Sequence, residues 1–512
     1  TMPGMTRPQP SHAERLLPTL AQPLVAAVVG AGLLAMAAWF VAAGGLRGGL
    51  VDHDRAPPVP LAVDDALVLA ALVEPVPVAE ELPPPAPPSP KVPESLEEAG
   101  IPSSTVEQLI LKALYYQGEV VGRELARDLG LKFSVIEGLT ENMKRANLIG
   151  VKSSLGMGAI SSKFTLTENG RDLAKEYIGQ CAYSGKVPVP MAQYTEMVRV
   201  QKQREGWLTM DALREAYKHM TVTDDLLNAI GPAVNAGKSF LIYGQPGNGK
   251  TFLAEALFNV DETPIYVPYA IECQGMIIQM FDPIYHHPIE ERQDLTSAFT
   301  VESGADGRWF KTRRPFIVSG GELDLKMLDL SYNPVSRFYE APFQLKANNG
   351  IYLIDDFGRQ KVTPAEVLNR WIVPMERRID FLTFTNGAKM TVPFECFLIF
   401  SSNLKPSNLG DEAFLRRIQY KMLLKSPREE EFIQIFVKFA ESKGLGCPRE
   451  LVDRFLDRHY RGIGKAKRRC HPRDVLSHAI DIIAFEKRPY ELNDDVLDRA
   501  FSSNFVSTED DE

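Results

Sequence analysis

Cysteine is scarce and unclustered in this chain. The five, Cys181, Cys273, Cys396, Cys447 and Cys470, form no C-x-x-C and share no regular spacing. That excludes a disulfide framework and a thiolate zinc site, and it fits a reducing compartment. Histidine is thin as well: there are eight in 512 residues. The adjacent pair His286-His287 has no ligand-spaced companion and reads as a structural or surface pair. Positive charge is in deficit. Lys and Arg total 57 against 66 Asp and Glu, leaving −9 at pH 7 and a pI near 5.6. The chain as a whole is therefore no nucleic-acid polycation, although local basic faces stay open. The apolar fraction, 45%, is ordinary and supplies a globular core. At 512 residues there is room for two or three domains.

What the chain does carry is a glycine-rich turn in a telling context. Gly244-Gln245-Pro246-Gly247-Asn248-Gly249-Lys250-Thr251 reads G-x-x-x-x-G-K-[ST], the phosphate-binding P-loop. A buried-strand run, Ser239 to Tyr243, precedes it, and a helical run opening at Phe252 follows. The glycines let backbone N–H groups turn inward around phosphate oxygens. Lys250 reaches terminal phosphates and Thr251 offers a hydroxyl to Mg²⁺. The competing reading is a plain glycine-rich turn. About a hundred residues on, Ile351-Tyr352-Leu353-Ile354 is an apolar strand that ends in Asp355-Asp356. Carboxylates there suit metal-nucleotide chemistry: Asp355 as metal holder, Asp356 to polarise the attacking water.

From about residue 207 to 505 the chain resembles an AAA+ ATPase. Residues 244–251 match Walker A and 351–356 match Walker B. Residues 397–403 resemble the sensor-1 strand and end at Asn403. Residues 411–418 resemble the arginine-finger segment, with Arg416 and Arg417. Residues 470–474 resemble the sensor-2 start of a lid helix, with Arg473. The resemblance implies ATP and Mg²⁺ as cofactors. The nucleotide would be bound by residues 244–251 with Phe252 and Arg473, the metal by Thr251 and Asp355. Asp356, Asn403 and one of the two arginines would take part in hydrolysis. A finger acting in trans implies a homo-oligomeric ring, usually of six. Many members end Walker B in Asp-Glu; Asp356 is one methylene shorter, which leaves slow turnover open. Residues 338–350 and an expected hairpin, 379–385 and 389–392 around Asn386-Gly387, resemble the enhancer-binding and MoxR-like branch. Residues 281–321 would be its extra insertion. Arg308, Trp309, Phe310, Lys311, Arg313 and Arg314 make a basic-aromatic patch there, facing either solvent, a pore substrate or a partner.

The expected fold is thus α/β: a P-loop parallel sheet flanked by helices plus a small α-helical lid. A winged helix-turn-helix domain and a transmembrane helix precede it. Residues 1–23 are a polar N-terminus. Residues 24–43 are uncharged and long enough to span a bilayer, with Trp39 near one end. A signal peptide and an uninserted Ala-rich segment compete with that anchor. Export would part the P-loop from its nucleotide, so a single-pass anchor with the ATPase in the cytoplasm is expected. Residues 44–100 form a Pro-rich linker. Residues 101–180 carry three helical patterns and a β-wing, resembling a winged helix. Residues 181–206 are read as a connector, 207–425 as the nucleotide-binding domain, 426–505 as the lid and 506–512 as an acidic tail. Between 101 and 178, ten Lys/Arg face nine Asp/Glu. That surplus is poor for phosphate contact, so docking to protein is favoured over DNA. The expected activity is membrane-tethered remodelling of an unidentified protein or complex. The rivals are a DNA-gripping ATP-dependent regulator and a slow nucleotide-dependent scaffold.

Overall fold

Apolar stripes at helical spacing build the first folded part. In the computed structural model, which describes residues 89–505 apart from 155, 157, 204–205, 290–304 and 411, α1 (Ser103–Gln117) buries Val106, Leu109, Ile110, Ala113 and Leu114. After it come β1 (Glu119–Val121), α2 (Gly122–Leu129), α3 (Phe133–Arg145), β2 (Ile149–Ser154), β3 (Ser162–Leu166) and α4 (Glu168–Gln180). Gly130 closes α2 in the left-handed conformation, and Thr167 caps α4 by accepting the Gly170 N–H at 3.1 Å. The three strands form an antiparallel sheet in the order β1-β3-β2. Sequence reading anticipated the helices and two of these strands; β1 is too short to signal itself. The expected membrane helix, most of the linker and the acidic tail lie outside the described residues. Among those described, no helix is long and apolar enough to cross a membrane.

The cations of this head are largely committed to its own acids. Lys152 and Lys163 both pair with Glu119 and hold its carboxyl down at about 2. Lys144 pairs with Glu141, Lys175 with Asp172, Arg127 with Asp128 and Lys132 with Glu94. Lys112 is buried. Among the described residues of α3 and the β2–β3 wing, Lys144, Lys152 and Lys163 are each paired with an acid, and Arg145 bonds to Asn142.

The segment read as a connector is not a bare linker. It contains β4 (Val189–Pro190) and α5 (Met191–Val200). Next in the chain are α6 (Asp224–Ala236), β5 (Phe240–Tyr243), α7 (Lys250–Ala256), β6 (Ile265–Pro268), β7 (Ala270–Cys273), β8 (Met276–Gln279), β9 (Trp309–Thr312), β10 (Phe316–Ser319), β11 (Ser331–Tyr332), β12 (Tyr339–Glu340) and β13 (Ile351–Ile354). Then come β14 (Ile379–Thr383), β15 (Lys389–Pro393), β16 (Phe397–Ser402) and β17 (Tyr420–Leu423). β4 joins a sheet in the order β11-β12-β8-β7-β4. Tyr194 and Val198 of α5 share one apolar core with Ile271 and Ile278 of that sheet, and with Leu382, Met390 and Val392 of the β14–β15 hairpin. Connector, insertion and hairpin are one packed body. The basic-aromatic patch is spent inside it: Arg308 and Trp309 are buried, Arg313 pairs with Glu262, and Arg314 with Asp261. His286 is also structural, its ring bonded to the Asp282 N–H at 2.9 Å and the Lys346 carbonyl at 3.0 Å.

The central sheet is parallel throughout, in the order β10-β13-β16-β5-β17. Its strands are near-continuously apolar, as a sheet covered on both faces requires. Four helices close the described chain: α8 (Glu429–Ser442), α9 (Arg449–Leu456), α10 (His471–Glu486) and α11 (Asp494–Asn504), packed around Phe432, Phe436, Phe455, Leu476 and Phe501. The first three were expected as the lid; α11 was not.

One buried ion pair joins the head to the body. Arg308 and Asp306 are 1% and 2% exposed and 2.7 Å apart. Arg308 also donates to the Ala99 carbonyl at 2.8 Å, just before α1, and to Gln193 Oε1 of α5 at 3.2 Å. Removing one partner of such a pair strands a buried charge. Arg308→Ala is expected to destabilise the head–body unit by about 3–5 kcal/mol, read as a lower urea midpoint. Arg308→Met with Asp306→Leu should recover most of that loss.

Candidate functional site

Strand order decides which loops meet. β16 lies between β13 and β5, with Ile354 opposite Phe400 and Ser402 opposite Tyr243. The residues that follow these strands therefore emerge side by side at the carboxyl edge of the sheet, where open α/β sheets bind ligands. They are the 244–249 loop after β5, Asp355-Asp356 after β13 and Asn403 after β16.

The side chains converge there. Lys250, 6% exposed, donates from Nζ to Asn403 Oδ1 at 2.6 Å and to the Gly244 and Gln245 carbonyls at 3.2 Å each. Asn403 Nδ2 donates to Asp356 Oδ1 at 2.7 Å. One carboxamide thus bridges the lysine and the carboxylate. Beside it, Thr251 Oγ1 donates to Asp355 Oδ2 at 2.8 Å. Burial lowers the Lys250 pKa; Asp355 and Asp356 act to raise it, while Arg359 and Arg468 act with burial. Asp356 has a left-handed backbone, φ +49°, a conformation Asp tolerates better than most residues. Its N–H donates to Asp355 Oδ1 at 2.9 Å. The turn beyond is anchored to β16: the Phe357 N–H donates to the Ser401 carbonyl at 2.7 Å, and Ser402 Oγ to the Phe357 carbonyl at 2.6 Å.

The glycines of the loop are needed for close approach. A Cβ on Gly244 would lie 2.4 Å from the Leu424 carbonyl oxygen. Gly247 has φ +76°, and a Cβ there would lie 2.6 Å from Cys470 Sγ. Asn248 is buried and donates to Leu424 O at 3.5 Å and Ser426 Oγ at 3.4 Å, while its Oδ1 has no partner among the described residues. Gln245, Pro246 and Phe252 are exposed along the rim. The donor set at Thr251 and Asp355 is all oxygen, which fits a hard divalent cation such as Mg²⁺.

The two adjacent arginines part ways. Arg417 Nε pairs with Glu376 at 2.9 Å. Arg416 is exposed, and its guanidinium has no hydrogen-bond partner among the described residues. Arg473 has no hydrogen bond to the loop among the described residues; it pairs with its neighbour Asp474 at 2.9 Å, its side chain 65% exposed. The residue sequence reading missed is Arg468. It donates to Gln245 Oε1 at 3.4 Å and to Ser426 Oγ at 3.2 Å, and the nearby Cys470 N–H donates to the Gly247 carbonyl at 2.9 Å. The signal was present as a basic run, Lys465 to Arg469, just ahead of the lid helix.

Residues 428–503, the span of the four-helix lid, match a family described as a domain of unknown function (DUF8689). No curated protein matches the chain. Among solved structures, it is similar to NtrX from Brucella abortus at 13% identity and a TM-score of 0.35, over 59% of this chain and 61% of that one. It is also similar to RuvB from Thermotoga maritima. For an alanine-to-serine mutant the identity is 13% and the TM-score 0.32, over 55% of this chain and 69% of that one. For a proline-to-glycine mutant they are 12% and 0.31, over 58% and 70%. The chain thus spans less than two thirds of the NtrX chain. Likenesses at these scores carry no argument about function; the side-chain geometry has to.

The lid seat is sensitive to acid through His471. It opens α10, is 8% exposed, and its Nδ1 lies 2.9 Å from the Tyr460 hydroxyl. Burial, then the Lys465 charge, lowers its pKa to about 4. The folded form therefore holds His471 neutral, while the unfolded chain takes up a proton below about pH 6.5. Stability is full above that pH and falls by about 3 kcal/mol on approach to pH 4. His471→Gln should flatten that part of the acid limb in thermal melts recorded from pH 7 to 4.

Proposed function

We propose that this chain is a Mg²⁺-dependent ATP hydrolase of the AAA+ type that works as a homo-oligomeric ring. The observation that carries this reading is the Lys250–Asn403–Asp356 relay, with Thr251–Asp355 beside it, at one sheet edge. The loop N–H groups of residues 244–251 and the Lys250 ammonium bind the phosphates. Thr251 and Asp355 would hold Mg²⁺, which when bound supplies charge neutralisation on the phosphate oxygens. Asp356 accepts a proton from the attacking water, and Asn403 holds that carboxylate in place. Arg416, lacking a partner among the described residues, supplies a guanidinium to the neighbour's site, where charge spreads over the transferred phosphoryl group.

The reading of the head as a protein-docking rather than a DNA-binding module is supported by the pairing of six of its ten basic residues with acids of the same chain. The uncharged stretch 24–43 supports a single-pass anchor with the ATPase in the cytoplasm. The work done is then remodelling of a protein or complex near that membrane.

Lys250→Ala is expected to abolish ATP binding. Asp356→Asn should bind ATP normally and turn over at least about 100-fold more slowly, in single-turnover phosphate release. Parental turnover by Asp356→Asn would remove it from the base role. Arg416→Ala should lower turnover about 1,000-fold, and Arg417→Ala far less. Mixing Arg416→Ala with Lys250→Ala subunits should restore part of the activity, because the second variant lends its intact finger to the first. No recovery on mixing would place Arg416 in its own subunit's site.

A further inference from the structure

The amino edge of the central sheet, at the far end from the phosphate loop, carries a cavity of about 140 Å³ where β5, β16 and β17 begin. Its floor is apolar: Phe394 and Leu398, 1% and 2% exposed, with half-buried Met375 beside them. Its rim is polar and unevenly charged. Glu376 is held by Arg417 at 2.9 Å. Lys238 is exposed and meets no carboxylate among the described residues. Arg378 meets none there either; its guanidinium donates to two backbone carbonyls, Gly237 at 2.5 Å and Cys396 at 3.4 Å. Arg378 also holds a left-handed backbone, φ +56°, where it closes the short helix Ile372–Arg377. Glycine is the usual occupant of such a position, and other residues held in that conformation gather at ligand clamps.

We propose that this cavity binds a small organic carboxylate, its anionic head met by Lys238 and Arg378 and its apolar body lying on Phe394, Leu398 and Met375. The size follows from the volume. A cavity of about 150 Å³ holds one benzene ring, so the body has about six carbons. The charge follows from the rim. A guanidinium stays protonated, and a carboxylate gives it a charge-assisted partner in place of neutral oxygens alone. A neutral apolar guest would leave both cations uncompensated. A bare inorganic anion would leave the apolar floor facing water. Ser239 completes the wall. Its hydroxyl donates to the Arg417 carbonyl at 3.0 Å and accepts the Gln419 N–H at 3.4 Å. That hydroxyl is thus committed, and the head falls to the two cations. The site stands beside the segment that carries Arg416 but shares no residue with the phosphate loop. It therefore does not rest on the nucleotide reading.

The probe is benzoate, titrated into the full chain and followed by ligand-observed NMR. A second readout is the ¹³C-methyl signal of Met375, assigned by its loss in Met375→Leu. Binding is expected at a Kd of about 1 mM, with a shift of that methyl signal. Arg378→Met should weaken binding about 10-fold and Lys238→Met about threefold. Arg378→Lys should recover part of the first loss. Met375→Trp fills the cavity and removes no charge, and it should abolish binding while the thermal melt stays cooperative. Benzyl alcohol has the body without the charge, and acetate the charge without the body. Each should bind at least about 10-fold more weakly than benzoate. Benzyl alcohol binding as benzoate does would mean a cavity with no anion recognition, and acetate matching benzoate would mean simple ion exchange; either overturns the inference. So does the absence of a benzoate signal up to about 20 mM, or parental affinity in both Arg378→Met and Met375→Trp. Displacement of benzoate by saturating Mg²⁺-ATP would put it at the phosphate loop and overturns the inference too. Lys250→Ala should bind benzoate like the parent, so the nucleotide reading and this one fail separately.

Discussion

The hydrogen bond from Lys250 to Asn403 is the contact on which the rest of the site depends. It spans 153 residues of sequence and joins two loops that no local interaction brings together. It exists because β16 is inserted between β5 and β13, so that the residue after β16 stands between the residues after its neighbours. With β13 directly beside β5, the carboxylates would face the lysine and form a simple ion pair. The intervening carboxamide instead gives each charged group a neutral partner of fixed length. A carboxylate so held keeps its second oxygen for a proton, and a lysine so held keeps its charge for an anion.

The same economy of partners distinguishes working from structural charges elsewhere. Arg308, Arg314 and Arg417 each meet a carboxylate. Two of them are nearly buried, where an unpaired guanidinium would be costly. Arg416 and Arg468 have no carboxylate partner among the described residues. In the head, Lys152 and Lys163 share Glu119. Exposed pairs of that kind add little stability, but they remove the free cations a duplex would need. Charge count alone, near balance over residues 101–178, pointed the same way; pairing accounts for six of its ten basic residues.

Much of this was legible in the sequence, and the remainder was hidden for definable reasons. The phosphate loop, the carboxylate-ended strand, the Asn-Gly hairpin and most helices have local signatures: glycine spacing, an apolar run with a polar end, 3.6-residue periodicity. β4 and α5 were taken for a connector because Pro188 and Pro190 punctuate the segment, while its strand is only two residues long and is defined by a partner some eighty residues away. The basic-aromatic patch around Arg308 looked like surface because Asp261, the partner of Arg314, lies some fifty residues away, and nothing local marks Asp306 as the partner of Arg308. Arg416 and Arg417 are equivalent in sequence; the pairing of Arg417 with Glu376, on a different element, is one contact that separates them. Arg468 was passed over for Arg473 because the familiar pattern lies at the helix start, and the strap before it offers only a basic run.

The shorter acid at position 356 raises the question of reach, and the backbone answers it. Glutamate would carry its carboxylate one methylene further from the strand end. Asp356 instead leaves β13 with φ +49°, so the main chain turns where a longer side chain would have extended. That turn is held from both sides: by the Asp356 N–H on Asp355, and by Phe357 locked to Ser401 and Ser402. A left-handed residue other than glycine carries a strain of about 1–3 kcal/mol and persists only where surrounding bonds over-determine it. Three hydrogen bonds within two residues meet that condition. The carboxylate is delivered to Asn403 at 2.7 Å, a full charge-assisted hydrogen bond. β16 and the turn therefore help to set the position of this carboxylate, together with the length of its own side chain.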